Sequence, residues 1–233
     1  MPYITPPTLG KPQRLLILLG GTFLACTAGY VNVVVLGTFA IPVSHMSGAF
    51  SRLGVDVATG NSVDLNLILL ILAGFFSGAA ISGAIIFGHQ LKPGRYYGVT
   101  LMLESGALAL AMVLLSSGST AGVPVAALAC GIQNGMASSY YGLIVRTTHV
   151  TGIVTDLGVL LGHRLRGKRV DSWKPILLLG LLVGFVSGCM LGQRMVTAYG
   201  PEALSLASAV TLIAGACYFI CREKMPELIS PPN

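Results

Sequence analysis

Two short elements put a histidine ahead of a hydroxyl residue and a glycine: His45-Met46-Ser47-Gly48 and His149-Val150-Thr151-Gly152. Ser and Thr near the start of a helix, followed by Gly, mark a place where backbone N–H groups lack intrahelical partners. Each segment is expected to run extended as far as the histidine and return as a short helix from about residue 46 or 150. Two such helix N-termini, meeting at the midplane of a membrane, would offer N–H groups and positive dipole ends to an anion. Ser47 and Thr151 would donate hydroxyls, and Gly48 and Gly152 would admit close backbone approach. The same residues also suit plain helix capping, a role compatible with binding.

Few other side chains could do chemistry. Arg146, three residues before His149, is either a substrate-binding cation at membrane depth or an arginine snorkelling to headgroups. Arg52 and Asp56 are four apart and can pair on one helix face, while Asp156 offers Arg52 an alternative partner. Glu104 is the lone acid within a strongly apolar stretch, suited to proton coupling or to a structural hydrogen bond. Gln133, Asn134 and Asn32 are amides that would bind substrate or hold helices together. His45, His89, His149 and His163 lack the His/Cys/Asp spacing of a metal site, and no cofactor is implied. No CxxC, Walker A, GxSxG or HExxH pattern occurs, which argues against an enzyme.

These residues must be positioned by an unusually apolar chain. Of 233 residues, 54% are hydrophobic and 9% charged, with a mean hydropathy of +0.80. Soluble domains carry about 25% charged residues, so a soluble enzyme, a disordered chain and a disulfide scaffold are all excluded. An all-α integral membrane protein remains, forming a single transmembrane domain over 1–233. Strong spans are expected at Leu15–Leu36, Leu65–Gly88, Tyr97–Leu115, Ala121–Ile144, Pro175–Gln193 and Ala203–Cys221. Thr38–Gly60 and Arg146–His163 are apolar but carry charge and glycine, and are expected to be broken or re-entrant.

The basic residues support that division. Lys11/Arg14, Lys92/Arg95, Arg164–Lys174 and Arg222/Lys224 all fall on one side if six spans cross and the two weak segments re-enter. By the positive-inside rule both termini are then cytoplasmic. The +6 net charge thus belongs to loops facing headgroups, and nucleic acid is not an expected partner.

The weak segments also belong to an internal repeat. Leu24-Ala25-Cys26 matches Leu128-Ala129-Cys130, and the two His elements match at the same offset of 104. After the Arg164–Lys174 loop the offset becomes 110, where Leu72–Gly78 matches Leu182–Gly188. Repeat one spans about 15–117 and repeat two about 121–221, each with three crossings and one broken segment. An odd number of crossings inverts the second repeat, as in secondary transporters whose sites lie at the repeat interface. Gly74/Gly78 and Gly184/Gly188 hold the small-xxx-small spacing of close helix packing.

The run Ala129-Cys130-Gly131-Ile132-Gln133-Asn134-Gly135, with Val145–Gly152 and Thr155-Asp156-Leu157-Gly158, resembles the YoaK-type family of bacterial membrane proteins. The resemblance extends over nearly the whole chain and implies a multi-pass protein of the bacterial inner membrane, with no established substrate. In the first repeat the chain departs from the family pattern, with Asn32 in place of Asp and Met46-Ser47-Gly48-Ala49 in place of Met-Thr-Gly-Asn. An ion-coupling role through that carboxylate is therefore not carried over. The expected function is a secondary transporter or channel for a small solute, preferably an anion. The alternative is a non-transporting structural or regulatory membrane protein. The bilayer is the expected partner, and homo-oligomerisation is left open.

Overall fold

The computed structural model describes residues 10–39, 43–60, 65–86, 95–138 and 147–224, and every regular element among them is helical. The helices are α1 (Lys11–Phe39), α2 (Met46–Thr59), α3 (Leu65–Ile86), α4 (Arg95–Ser116), α5 (Gly122–Ser138), α6 (Val150–Leu165), α7 (Trp173–Tyr199) and α8 (Leu204–Lys224). A 3₁₀ turn, Gly200–Ala203, joins the last two. Four stretches are long and apolar enough to cross a membrane: 11–38, 65–86, 96–116 and 173–220, the last including both α7 and α8.

The long helices pack through glycine. On α7, a Cβ at Gly184 would meet Thr22 of α1, one at Gly188 would strike the Cys26 carbonyl, and one at Gly192 would sit 2.8 Å from the Tyr30 carbonyl. Residue numbers rise together along both helices, so α1 and α7 run parallel. In the same way Gly74 meets Pro124, Gly78 meets Leu128 and Gly135 meets Ser82, so α3 and α5 are also parallel. In contrast, Ser105 bonds to Ser208 at 2.7 Å while Gly98 faces Gly215, making α4 and α8 antiparallel. Only glycine lets two backbones approach this closely, and dispersion over the contact replaces the hydrophobic drive that lipid cannot supply.

These directions define two ends of the bundle. The near end holds the starts of α1, α4 and α7 and the ends of α3, α5 and α8. Arg14 lies 5.8 Å over the Trp173 ring there and 3.9 Å from Asp171, beside the exposed basic stretch Arg164–Lys174. At the far end, the Tyr30 hydroxyl donates to the Ala203 carbonyl at 2.7 Å, tying α1 to the α7–α8 turn.

Large apolar side chains point outward, as on Phe76 (74% exposed) and Val183 (61% exposed). Small and medium residues fill the interior. One apolar cluster (Val31, Val34, Val35, Ile71, Leu108, Ala111, Val123) closes the bundle from its middle toward the far end. An interior of small residues under an apolar exterior is the arrangement expected where the surrounding solvent is lipid.

Candidate functional site

Both short helices start where the His elements place them. α2 begins at Met46 after His45 (φ −100°, ψ 72°), and α6 begins at Val150 after His149 (φ −86°, ψ 59°). Neither histidine makes a side-chain cap hydrogen bond, and both are exposed. The His45 ring folds over its own first turn, so that a Cβ on Gly48 would lie 2.8 Å from Nδ1. At Gly152 the corresponding separation from His149 Nδ1 is 3.8 Å.

An asparagine on the preceding long helix holds each start in place. Asn32 Oδ1 accepts from the Ser44 backbone N–H at 3.1 Å and from the Ser44 hydroxyl at 2.8 Å. Asn134 Oδ1 accepts from the Thr148 hydroxyl at 2.7 Å, and its Nδ2 donates to the Cys130 carbonyl at 2.8 Å. Asn32 lies seven residues short of the α1 C-terminus, about 10 Å along the helix axis. The start of α2 is therefore drawn back beside α1, well inside its end.

Of the clamp residues, Asn32 and Asn134 were expected as amides that bind substrate or hold helices together, whereas Ser44 and Thr148 stood outside the expected site. The signal for the clamp was the shared pattern Gly29-x-x-Asn32 and Gly131-x-x-Asn134, at an offset of 102. The contacts follow that offset: Gly29 meets the Phe185 carbonyl and Gly131 the Phe75 carbonyl. Cys26 packs on Gly188 as Leu128 packs on Gly78, so the Leu-Ala-Cys tripeptides at offset 104 do not occupy matching places.

The expected site residues divide into separate groups. Ser47 and Thr151 are exposed in the first turns of α2 and α6, each accepting a bond through its backbone carbonyl from a hydroxyl four residues on. α2 packs on α3 and α6 on α7; no described residues of α2 and α6 touch, so the two starts do not meet. Arg52 pairs with Asp56 at 3.0 Å inside α2, with Asp56 buried, whereas Asp156 stands exposed on α6. The alternative Arg52–Asp156 bridge is not formed, because each residue belongs to a different short helix. Arg146 lies outside the described residues. Thr147 is fully buried just before the second start, and its Oγ1 has no partner among the described residues.

A second polar level lies deeper in the bundle. Gln133 is 1% exposed and donates through Nε2 to the Leu24 carbonyl at 3.0 Å, linking α5 to α1. Glu104, 2% exposed, stands within electrostatic reach of the Cys130 thiol, and its Oε2 has no hydrogen-bond partner. Below, toward the near end, α1, α4, α5 and α8 line a partly open apolar cavity of about 170 Å³. Leu24, Tyr97, Leu101, Met136 and Tyr218 are among its walls. Among the described residues no group of His, Cys, Asp and Glu could hold a metal ion.

The fold, its outward apolar side chains and its clamped short helices define the class: an all-helical protein with several helices fit to cross a bilayer. The family model described as protein of unknown function DUF1275 matches residues 20–217, and the chain belongs to that family. This agrees with the YoaK-type resemblance of the Gln133–Asn134 and Arg146–Gly152 motifs. No curated protein and no solved structure matches the chain.

Proposed function

We propose that the protein is a secondary transporter or channel for a small solute, with an anion the preferred class. The observation that carries this reading is the pair of short helices whose first turns are clamped by Asn32 and Asn134 beside the long helices. At membrane depth, irregular backbone is tolerated only where protein buries it or a water-filled path runs past it. Keeping two such breaks costs stability unless they serve a pathway. First-turn N–H groups without a side-chain cap, exposed His45 and His149, and the unpartnered Thr147 hydroxyl are the groups that would greet a solute.

In this reading α1, α3, α4, α5, α7 and α8 cross the membrane, while α2 and α6 re-enter from opposite faces. The alternation of helix directions and the two parallel pairs, α1/α7 and α3/α5, support two inverted repeats. The near end, with Arg14 and the Arg164–Lys174 stretch, would be cytoplasmic, with both termini there, in a bacterial inner membrane.

Reconstituted vesicles loaded in turn with chloride, nitrate, formate and phosphate test the reading. Flux of at least one anion is expected, reduced about tenfold or more in His149→Ala while the variant folds normally, the loss of one charge-assisted contact. Unchanged flux in a folded His149→Ala would remove the site assignment. No flux of any of the four would favour the non-transporting alternative.

A further inference from the structure

We propose that Glu104 is a proton-binding site inside the membrane, reached from the near end through the cavity between α1, α4, α5 and α8. The buried face of α4 reads Tyr97, Leu101, Glu104, Leu108, Ala111, Leu115, a stripe at spacings of three and four with one ionisable acid in it. Tyr97 and Leu101 wall the cavity, and Glu104 follows Leu101 by three residues, about 4.5 Å deeper. On α5 the same step leads from Met136 in the cavity wall to Gln133. Leu108, the next residue inward, belongs to the apolar cluster that closes the bundle toward its far end. Glu104 therefore sits between a cavity on one side and a sealed core on the other.

A structural role would need partners, and no hydrogen bond to Glu104 forms among the described residues. Its Oε2 is buried without a hydrogen bond. Of the elements packed on α4, α5 brings the Cys130 thiol and the Gln133 amide, but the bond Gln133 Nε2 makes is to the Leu24 carbonyl and not to Glu104. α8 brings Ser208, which bonds Ser105, Thr211, which bonds its own helix, and, in the cavity wall beside Tyr97 of α4, the phenol of Tyr218. α3 has no titratable side chain, and the 3₁₀ turn brings Glu202 only at the far end. No cation among the described residues reaches the site, so a bare carboxylate there would be unpaired in an apolar interior. A carboxyl that carries a proton, and can exchange it through the cavity, fits these surroundings.

The proposal stands apart from the anion reading, because its test needs no solute. Infrared spectra of the full chain in vesicles are expected to show the carbonyl stretch of a neutral carboxylic acid that is missing in Glu104→Gln. That band should shift promptly in D₂O. Gly20 lines the cavity, and a Cβ there meets nothing within 4 Å, so Gly20→Phe adds bulk at the cavity wall without a backbone clash. Gly20→Phe should slow the deuterium shift by about tenfold or more, since exchange must then await local opening. Should Glu104→Gln fail to fold, dicyclohexylcarbodiimide labelling of the wild-type chain, located by peptide mass, identifies the neutral acid without a substitution. Absence of both band and label at Glu104 overturns the proposal. So does a deuterium shift equally fast in Gly20→Phe, which would remove the cavity as the route. Loss of anion flux alone would touch only the transport reading.

Discussion

At the scale of single residues, Asn32 and Asn134 hold the starts of the two short helices. Asn134 satisfies Thr148 while using its own amide on Cys130, so neither end of the side chain is idle. Asn134→Ala leaves the Thr148 hydroxyl without its acceptor and is expected to cost about 1–3 kcal/mol, seen as a lower Tm in detergent. Asn134→Asp keeps the acceptor for Thr148 but gives up the donor to the Cys130 carbonyl, and should recover only part of the loss. Equal Tm for wild type and Asn134→Ala would mean that the bond contributes nothing. The His elements themselves were legible, because a hydroxyl and a glycine behind each histidine announced helix starts at Met46 and Val150. The clamp was less legible: Asn32 and Ser44 are 12 apart, Asn134 and Thr148 14 apart, and no local rule links residues across a chain reversal.

At the scale of elements, glycine decides which helices can touch. A Cβ on Gly188 would collide with the Cys26 backbone, and one on Gly78 with Leu128, while one on Gly83 meets nothing within 4 Å. Gly188→Leu and Gly78→Leu should each destabilise by about 3 kcal/mol or more through forced separation of a parallel pair, whereas Gly83→Leu should be near neutral. Thermal unfolding of the three variants checks this; equal behaviour would refute the packing assignment. The small-xxx-small spacing predicted close packing from sequence. Which helix each glycine faces was not readable, since spacing along one helix carries no information about its neighbour.

At the scale of the whole molecule, the near and far ends differ. Apolar side chains seal the far half, and a cavity opens the near half beneath Glu104 and Gln133. In the proposed arrangement of six crossings and two re-entrant segments, Thr59, at the end of α2, lies on the face opposite Arg166, which follows α6. In a chain with its native cysteines replaced, Thr59→Cys and Arg166→Cys should react with an impermeant maleimide from opposite sides of sealed vesicles. Labelling of both from one side would mean that an odd number of crossings does not separate them, and the inverted arrangement would fall.

Composition and hydropathy were enough to specify an all-helical chain with several helices fit to cross a bilayer, because lipid demands long apolar helices with internally satisfied backbones. The strong segments coincide with α1, α3, α4, α5, α7 and α8, with described ends moved by up to six residues, while residues 87–88 and 139–144 of two of them lie outside the described residues. Local pattern likewise located both short-helix starts. Register was a different matter: the Leu-Ala-Cys match suggested 104, but backbone contact at Gly29 and Gly131 requires 102. In a chain so rich in Leu, Ala and Gly, tripeptide identity is weak, while the collision of two backbones tolerates no two-residue error. The separation of α2 from α6 and the placing of Glu104 over a cavity were tertiary outcomes too. Both depend on which faces of distant helices meet, a choice made by packing among eight elements and invisible within any one of them.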